Sequence, residues 1–284
     1  SGNHAQGVAY AARVNNVPAV IVMPTTASPT KVLSTKSYGA EVILYGRIYD
    51  EAYEKALSIA QERGYTFIHP FDDPVIIAGQ GTIGLELLEQ VRGLREVLVP
   101  IGGGGLISGI AIALKKADPS IRVVGVQPRN AASMKYLIGE RLSGYKPGIS
   151  IADAVVVKKP GEITSAIVKE LVDEIVLVDE EDISYAVFFL LERGKTIAEG
   201  AGALPVAALL SGKYVPEKEP VVCVVSGGNI DPTILSRIII HELAKDGRLV
   251  TIRGVVDDRP GVLRNIIDVL ASYRINIVDI KHDR

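Results

Sequence analysis

Short apolar runs rich in Val and Ile alternate with longer amphipathic segments over most of the chain. Such alternation is typical of α/β proteins, in which a parallel sheet carries helices on both faces. The runs that we predict as strands are 19–23, 41–45, 66–69, 96–101, 122–126, 174–178 and 220–225. The segments that we predict as helices, besides a small-residue helix over 8–12, are 51–63, 82–91, 106–117, 162–172 and 181–193.

The pattern divides the chain into three parts. We predict a small α/β domain over 1–73 and a large α/β domain over 74–247. After Gly247 the pattern changes to a half-exposed strand over 248–256, a helix over 264–272 and the start of another strand over 275–280. This last part, 248–284, is predicted as a separate small α+β unit.

Composition narrows the class of protein. The 284 residues are 48% hydrophobic and carry a net charge of −2, which is ordinary for a soluble globular protein and argues against a nucleic-acid-binding surface. The single cysteine, Cys223, lies in a strand run and indicates a core thiol in a reducing compartment. No run is long enough for a membrane span and no signal peptide is visible, so we expect a cytoplasmic protein.

Three glycine-containing turns stand out as candidate binding loops. The first, SGNHAQG, occupies residues 1–7 and leads into a helix, so its free backbone N–H groups suit a carboxylate. The second, GGGGL at 102–106, follows a strand and opens a helix, which suits a phosphate. The third, SGGN at 226–229, follows the strand run 220–225, where open α/β sheets place ligands.

Two other patterns predict no site. The run GQGTIG at 79–84 spells a dinucleotide fingerprint, but no carboxylate for a ribose follows the next strand, so a Rossmann oxidoreductase is disfavoured. The histidines His4, His69, His241 and His282 lack metal-ligand spacing, so we predict no metal.

Together the three turns resemble the fold-type-II pyridoxal-phosphate enzymes, most closely the threonine dehydratases (threonine ammonia-lyases) and serine racemases. The resemblance covers almost the whole chain and includes the segments HPFDD at 69–73, IAD at 151–153, VKKPG at 157–161 and EGAGA at 199–203. It implies two three-layer α/β domains, the larger one binding the cofactor. In serine racemases the segment matching 127–133 carries acids that bind a divalent ion, and those acids are absent here.

The resemblance also implies roles for residues. In the family the asparagine of the first turn bonds the phenolic oxygen of pyridoxal 5'-phosphate, the glycine loop holds its phosphate, and the serine of the last turn contacts its ring nitrogen. The implied cofactor-binding residues are Asn3, Gly102, Gly103, Gly104, Gly105, Leu106 and Ser226. The implied substrate-binding residues are Ser1, Gly2, Asn3, His4 and Ala5. Glu199 either approaches the cofactor or is a helix-end carboxylate.

The activity implied is β-elimination of L-threonine, or L-serine, to 2-oxobutanoate, or pyruvate, and ammonia. The family's Schiff-base lysine lies before the first turn, and nothing precedes Ser1 here, so we expect this chain as given to be inactive. The first lysine, Lys31, is predicted to lie on a solvated helix. Ser1 is a candidate catalytic hydroxyl, because serine racemases use a serine at the matching position, although it equally suits a turn cap.

The C-terminal part resembles the first half of an ACT domain, the amino-acid-sensing module fused to many threonine dehydratases. The resemblance implies that the strand-to-helix turn of this part binds an effector, which we expect to be a branched-chain amino acid. It also implies a role in isoleucine biosynthesis. We expect a homo-oligomer, either a dimer or a tetramer. The residues concerned are Asp258, Arg259, Pro260, Gly261, Val262 and Leu263. We expect this partial module to need a partner. The alternatives left open are a serine racemase or related lyase, and a non-catalytic regulatory or cofactor-binding scaffold.

Overall fold

A computed structural model describes residues 2–139 and 145–281. It divides into two compact units, Ser1–Glu242 and Leu243–Arg284. In the first unit β1 (Val20–Met23) pairs in parallel with β2 (Glu41–Leu44), and α1 (Asn3–Val14), α2 (Pro29–Ser37) and α3 (Tyr49–Arg63) accompany them. The predicted boundary at 73/74 between two α/β domains remains a prediction.

The larger sheet of this unit is parallel throughout, in the order β5-β4-β3-β6. Its strands are β3 (Glu96–Pro100), β4 (Arg122–Pro128), β5 (Glu174–Val178) and β6 (Val221–Cys223). All five residues of β3 are buried, as expected of a central strand covered on both faces. The predicted α/β class with parallel sheets is therefore confirmed.

Helices cover this sheet and connect its strands. They are α4 (Pro74–Gln90), α5 (Gly105–Ala117), α6 (Ser133–Ile138), α7 (Glu162–Leu171), α8 (Glu180–Glu192), α9 (Gly200–Leu210) and α10 (Pro232–Lys245), which runs across the boundary of the two units. No helix among the described residues is both long and apolar enough to cross a membrane.

One predicted strand, 66–69, is wrong. No strand is formed there, and the segment is held instead by side chains: the Phe67 ring packs edge-on against Tyr53 at 5.3 Å, and His4 Nε2 lies 3.1 Å from the carbonyl oxygen of Ile68. A strand needs a neighbouring strand for its backbone hydrogen bonds, and aromatic packing replaces that neighbour here.

The second unit, taken by itself, contains α11 (Val262–Ser272) and no strand among its described residues. The helix prediction is confirmed, but the strands predicted at 248–256 and 275–280 are wrong for this structure. Both segments have strand-like alternation, yet neither has a partner within the described part of the unit. Alternation without pairing does not produce a strand.

Helices α4 and α5 pack at unusually close range through glycines. A Cβ added at Gly109 would overlap the carbonyl oxygen of Ile77 and lie 2.5 Å from the amide nitrogen of Gly81. A Cβ at Gly84 would lie 2.8 Å from the Cβ of Ala113. The GQGTIG run therefore lies inside α4 as a helix-packing surface, and only α4 after residue 81 was predicted as helical.

We predict that Gly109→Ala destabilises the protein by about 1–3 kcal/mol, because the new methyl group meets backbone atoms that cannot move aside. The matched control is Gly79→Ala in α4, where an added Cβ meets nothing within 4 Å and the gain in helix propensity is up to about 1 kcal/mol. Urea-induced unfolding followed by circular dichroism measures both changes. Equal midpoints for the two variants would contradict the close-packing argument.

Candidate active site

The glycine loop and the SGGN turn both lie at the carboxyl ends of the strands in the larger sheet. Strand β3 pairs in parallel with β6, with Glu96 opposite Val221 and Leu98 opposite Cys223. The loop at 102–105 follows β3, and the turn at 226–229 follows β6. Because the carboxyl ends of neighbouring parallel strands lie at the same end of a sheet, the two predicted binding loops lie side by side.

The glycine loop is packed tightly on the side where side chains would be. A Cβ at Gly103 would overlap the Phe71 ring, and one at Gly102 would lie 3.0 Å from the Cα of Val155. Gly104 has a φ of 98°, a left-handed conformation that favours glycine. Thr164 fixes the loop further, since its hydroxyl donates to the carbonyl oxygen of Gly103 at 2.6 Å.

The amides of this loop are available to a ligand. Within the described residues, the backbone N–H groups of Gly102, Gly103 and Gly104 donate no hydrogen bond, and α5 begins directly at Gly105. Free amides at the start of a helix form a site for an anion such as a phosphate. Leu106 lies in the first turn of α5.

The HPFDD segment, which had no individual role in the sequence prediction, holds this loop in place. Phe71 contacts the loop, and Asp72 accepts hydrogen bonds from the amides of Glu162 and Thr164 at the start of α7, at 2.9 and 3.0 Å. The amides of Phe71 and Asp72 donate to His69 Nδ1. Asp73 caps α4. No local pattern reveals these contacts, since the partners of Asp72 lie about ninety residues away.

The first predicted turn is already helical. Helix α1 begins at Asn3 rather than at Val8, because Gly2 adopts the non-helical cap conformation with a φ of 127°. The amides of Asn3, His4 and Ala5 therefore occupy the first turn, where helix N–H groups have no intrahelical partner. Gly2 and Ala5 are buried. Ser1, the candidate catalytic hydroxyl, lies outside the described residues.

Asn3 connects α1 to the start of α9. Its Nδ2 donates to Glu199 Oε1 at 2.7 Å, and a Cβ at Gly227 would lie 2.8 Å from the same nitrogen and would overlap that oxygen. Asn3, Glu199 and the turn after β6 therefore converge at Gly227, and Ser226 of this turn is an exposed residue. Glu199 is thus more than a helix-end carboxylate.

Glu199 is a buried carboxyl group, with only 5% of its surface exposed. Burial raises its pKa above the ordinary value, because the low-dielectric surroundings disfavour the charged form, while the bond from Asn3 acts in the opposite direction. A carboxyl with a raised pKa beside binding loops is a common feature of functional sites.

Lys31 differs from its prediction. Its side chain is only 17% exposed, and its Nζ lies 3.1 Å from Asp153 Oδ2, so it is not on a fully solvated helix face. Its positive charge also lowers the pKa of Glu199, although less than burial raises it. Lys31 therefore belongs to the electrostatic surroundings of the site.

Gln127 and Cys223 lie on strands of the larger sheet, and neither side chain is available for chemistry. Gln127 is buried, and its Nε2 donates to the carbonyl oxygens of Ile101 at 3.2 Å and Ala131 at 3.4 Å. Gln127 lies in the segment that the resemblance matches to the acid-bearing segment of serine racemases, and its amide is used here for these two internal hydrogen bonds. Burial raises the pKa of the Cys223 thiol to about 12, so this thiol stays protonated and is a poor nucleophile.

The residues present fit pyridoxal phosphate. The free amides of the glycine loop suit its phosphate, and Asn3 keeps a second amide N–H that suits the phenolic oxygen while the first N–H bonds Glu199. Asn229 Nδ2 is a buried donor of the SGGN turn that has no hydrogen-bond partner within the described residues. Such orphaned donors next to a loop are expected where a ligand completes the site.

The predicted effector residues lie in the second unit. Asp258, Arg259, Pro260 and Gly261 precede α11, and Val262 and Leu263 begin it. Gly261 has a φ of 95°, and Val262 N donates to the carbonyl oxygen of Arg259 at 3.3 Å. No residue of α11 is buried, so its apolar face is uncovered within this unit.

Comparisons with known proteins agree with this geometry. Residues 1–227 match the model of a family described as pyridoxal-phosphate dependent enzymes. The chain is 49% identical to an L-threonine ammonia-lyase of Thermotoga maritima over 288 positions, which cover 100% of this chain and 71% of that protein.

Two solved structures are also similar. A threonine deaminase from T.th. has a TM-score of 0.75 and 43% identity, covering 81% of this chain and 76% of that one. The maize serine racemase has a TM-score of 0.77 and 35% identity, covering 87% and 76%.

We predict that Glu199→Gln becomes more stable relative to the wild type as pH rises. The raised pKa means that the folded protein binds the Glu199 proton more tightly than the unfolded chain does. The stability from this group is present below the ordinary pKa of 4.5 and is lost as pH rises through the raised value. Glutamine keeps the oxygen that accepts from Asn3 and has no charge to bury.

Urea unfolding of the cofactor-free protein at several pH values measures this difference. Glu86→Gln, an exposed position on α4, is the control and should show no such trend. A pH-independent difference between Glu199→Gln and the wild type would contradict the raised pKa.

Proposed function

Because the chain belongs to the family of pyridoxal-phosphate dependent enzymes, we propose that it is a threonine ammonia-lyase. It converts L-threonine to 2-oxobutanoate and ammonia, and L-serine to pyruvate and ammonia. The proposal rests on one observation. Asn3 donates a hydrogen bond to Glu199 beside a glycine loop whose backbone amides are free. Family membership also argues against the non-catalytic scaffold left open by the sequence.

Different residues of the site would bind the cofactor and the substrate. The amides of Gly102 to Gly105 would hold the cofactor phosphate at the start of α5, whose first turn includes Leu106. The Asn3 side chain would bond the phenolic oxygen, and the first-turn amides of α1, with Gly2, His4 and Ala5, would hold the substrate carboxylate. Glu199 fixes the rotamer of Asn3 by accepting one of its two amide protons.

When bound, pyridoxal phosphate supplies an electron sink that makes the Cα proton of an amino acid acidic. Ser226 determines how strong that sink is. A serine hydroxyl carries no charge, so it does not hold a ring nitrogen protonated as a carboxylate does. With Ser226 in place of a carboxylate, we expect loss of the β-hydroxyl to be favoured over transamination.

We predict that the protein expressed from its complete gene releases 2-oxobutanoate from L-threonine, and that Asn3→Ala weakens cofactor retention about 10- to 100-fold. A hydrogen bond to a charged group is worth about 1.5–3 kcal/mol, which corresponds to this range. The matched control is Asn15→Ala at the other end of α1, where Nδ2 bonds only the carbonyl oxygen of Ala11.

A coupled assay for 2-oxobutanoate and a titration of bound pyridoxal phosphate measure the two effects. No turnover of threonine or serine by cofactor-loaded protein would exclude the proposed activity. Equal cofactor affinity in the Asn3→Ala and Asn15→Ala variants would show that Asn3 does not bind the cofactor.

Serine racemisation is the second candidate. It is favoured by the hydroxyl of Ser1 and by the similarity to the maize serine racemase. Formation of D-serine from L-serine that Ser1→Ala abolishes, with elimination retained, would establish it as a side activity. Racemisation faster than elimination would make it the main activity.

We also propose that the second unit is the first part of an ACT-like regulatory module in a cytoplasmic homo-oligomer. The uncovered apolar face of α11, which includes Leu263, Ile266 and Val269, supports pairing with another module. A branched-chain amino acid, as in a feedback-controlled route to isoleucine, would bind at the turn before α11.

We predict that isoleucine or valine changes the apparent threonine affinity about 5- to 150-fold, the usual range of allosteric coupling. Gly261→Asp should remove this response, because an aspartate strains the φ of 95° and fills the turn. Gly254→Asp is the matched control, since Gly254 has open space and no positive φ. Threonine saturation curves with each amino acid measure the coupling.

The test compares the apparent affinity for threonine measured with effector to the affinity measured without it. No response to any branched-chain amino acid would reduce the second unit to an assembly role. An equal response in the Gly261 and Gly254 variants would place the effector elsewhere.

A further inference from the structure

Three side chains of types that can ligate a metal lie close together in the first unit, and none of them belongs to the binding loops described above. His241 Nε2 lies 3.1 Å from Glu181 Oε2 and 3.9 Å from Glu242 Oε1. One ligand atom from each residue lies within 4.8 Å of the other two. Glu181 belongs to the first turn of α8, and His241 and Glu242 lie near the end of α10.

Glu242 is the unusual member of this group. Its side chain is 1% exposed, its Oε1 accepts a hydrogen bond from the Ser184 hydroxyl, and its Oε2 has no hydrogen-bond partner among the described residues. A buried carboxylate that is only partly satisfied is costly, so a nearby positive charge would stabilise it.

A second buried carboxylate shows how this chain satisfies such a group without a ligand. Glu96 Oε1 accepts from the amides of Glu217 and Lys218 at 2.9 and 2.8 Å, and its Oε2 accepts from the Tyr214 hydroxyl at 2.6 Å. Both oxygens of Glu96 therefore have partners within the protein. Glu242 has one such partner, and its carboxylate faces an imidazole and another carboxylate.

We propose that Glu181, His241 and Glu242 bind a divalent transition cation of the zinc class. One imidazole and two carboxylates are a donor set that zinc accepts, with water completing a four-coordinate site. Metal–ligand distances of about 2.0–2.2 Å place tetrahedral ligand atoms about 3.4 Å apart. The observed 3.1 and 3.9 Å lie on either side of that spacing.

Charge and access also suit a cation. Two carboxylates balance the two positive charges of the ion, which relieves the burial of Glu242. His241 is 50% and Glu181 62% exposed, so an ion enters from solvent. Histidine spacing alone did not predict this site, because Glu181 lies 60 residues before His241.

Isothermal titration of the chelator-treated full chain, in its cofactor-loaded form, with Zn²⁺ tests the proposal. We expect one saturable zinc per chain, weakened about tenfold or more in His241→Ala and Glu242→Gln, since even loss of a supporting residue costs about 10- to 100-fold. Ser184→Ala, which removes the bond to Glu242, should weaken binding within that range. Glu89→Gln, an exposed carboxylate on α4, is the matched control and should bind as the wild type does.

A second readout separates a built site from a folding defect. His241 is half exposed, so His241→Ala should keep the circular dichroism spectrum of the wild type. Co²⁺ should give visible d–d bands in the wild type that this variant lacks. No saturable zinc binding, or binding unchanged in His241→Ala, would overturn the proposal and leave the cluster as an ion pair.

Discussion

The parallel pairing of β3 with β4 on one side and β6 on the other is the constraint on which the site depends. It fixes the register of Glu96 opposite both Arg122 and Val221, so the following loops leave the sheet at the same level. The glycine loop and the SGGN turn then lie side by side at the carboxyl ends of these strands. Asn3, from a distant helix, completes the arrangement through Glu199.

Glycine serves two distinct physical purposes in this fold. In the loop after β3 it exposes amides while Phe71 and Val155 pack where side chains would be. In α4 and α5 it allows two helix backbones to touch at Gly81 and Gly109. Both runs look like ligand-binding motifs in the sequence, and only the first stands at the end of a strand.

The sequence predicted the elements whose pattern is local. Six of the predicted strands form, and the loops after β3 and β6 were located by the strand-then-glycine pattern. The sequence-based prediction failed where packing between residues distant in the chain determines the structure. Helix α9, which contains Pro205, was missed because its helical state rests on burial rather than propensity. The bond between Asn3 and Glu199 joins residues 196 positions apart, so no spacing rule finds it.

Three buried carboxylates show how a structural acid differs from a functional one in this molecule. Glu96 has hydrogen-bond donors on both oxygens and therefore stabilises the sheet by itself. Glu199 accepts from Asn3 and faces the binding loops, and burial raises its pKa. Glu242 keeps an oxygen without a donor among the described residues. Because unsatisfied burial is costly, a buried acid that lacks a full set of donors gains more from an added donor or cation than Glu96 would.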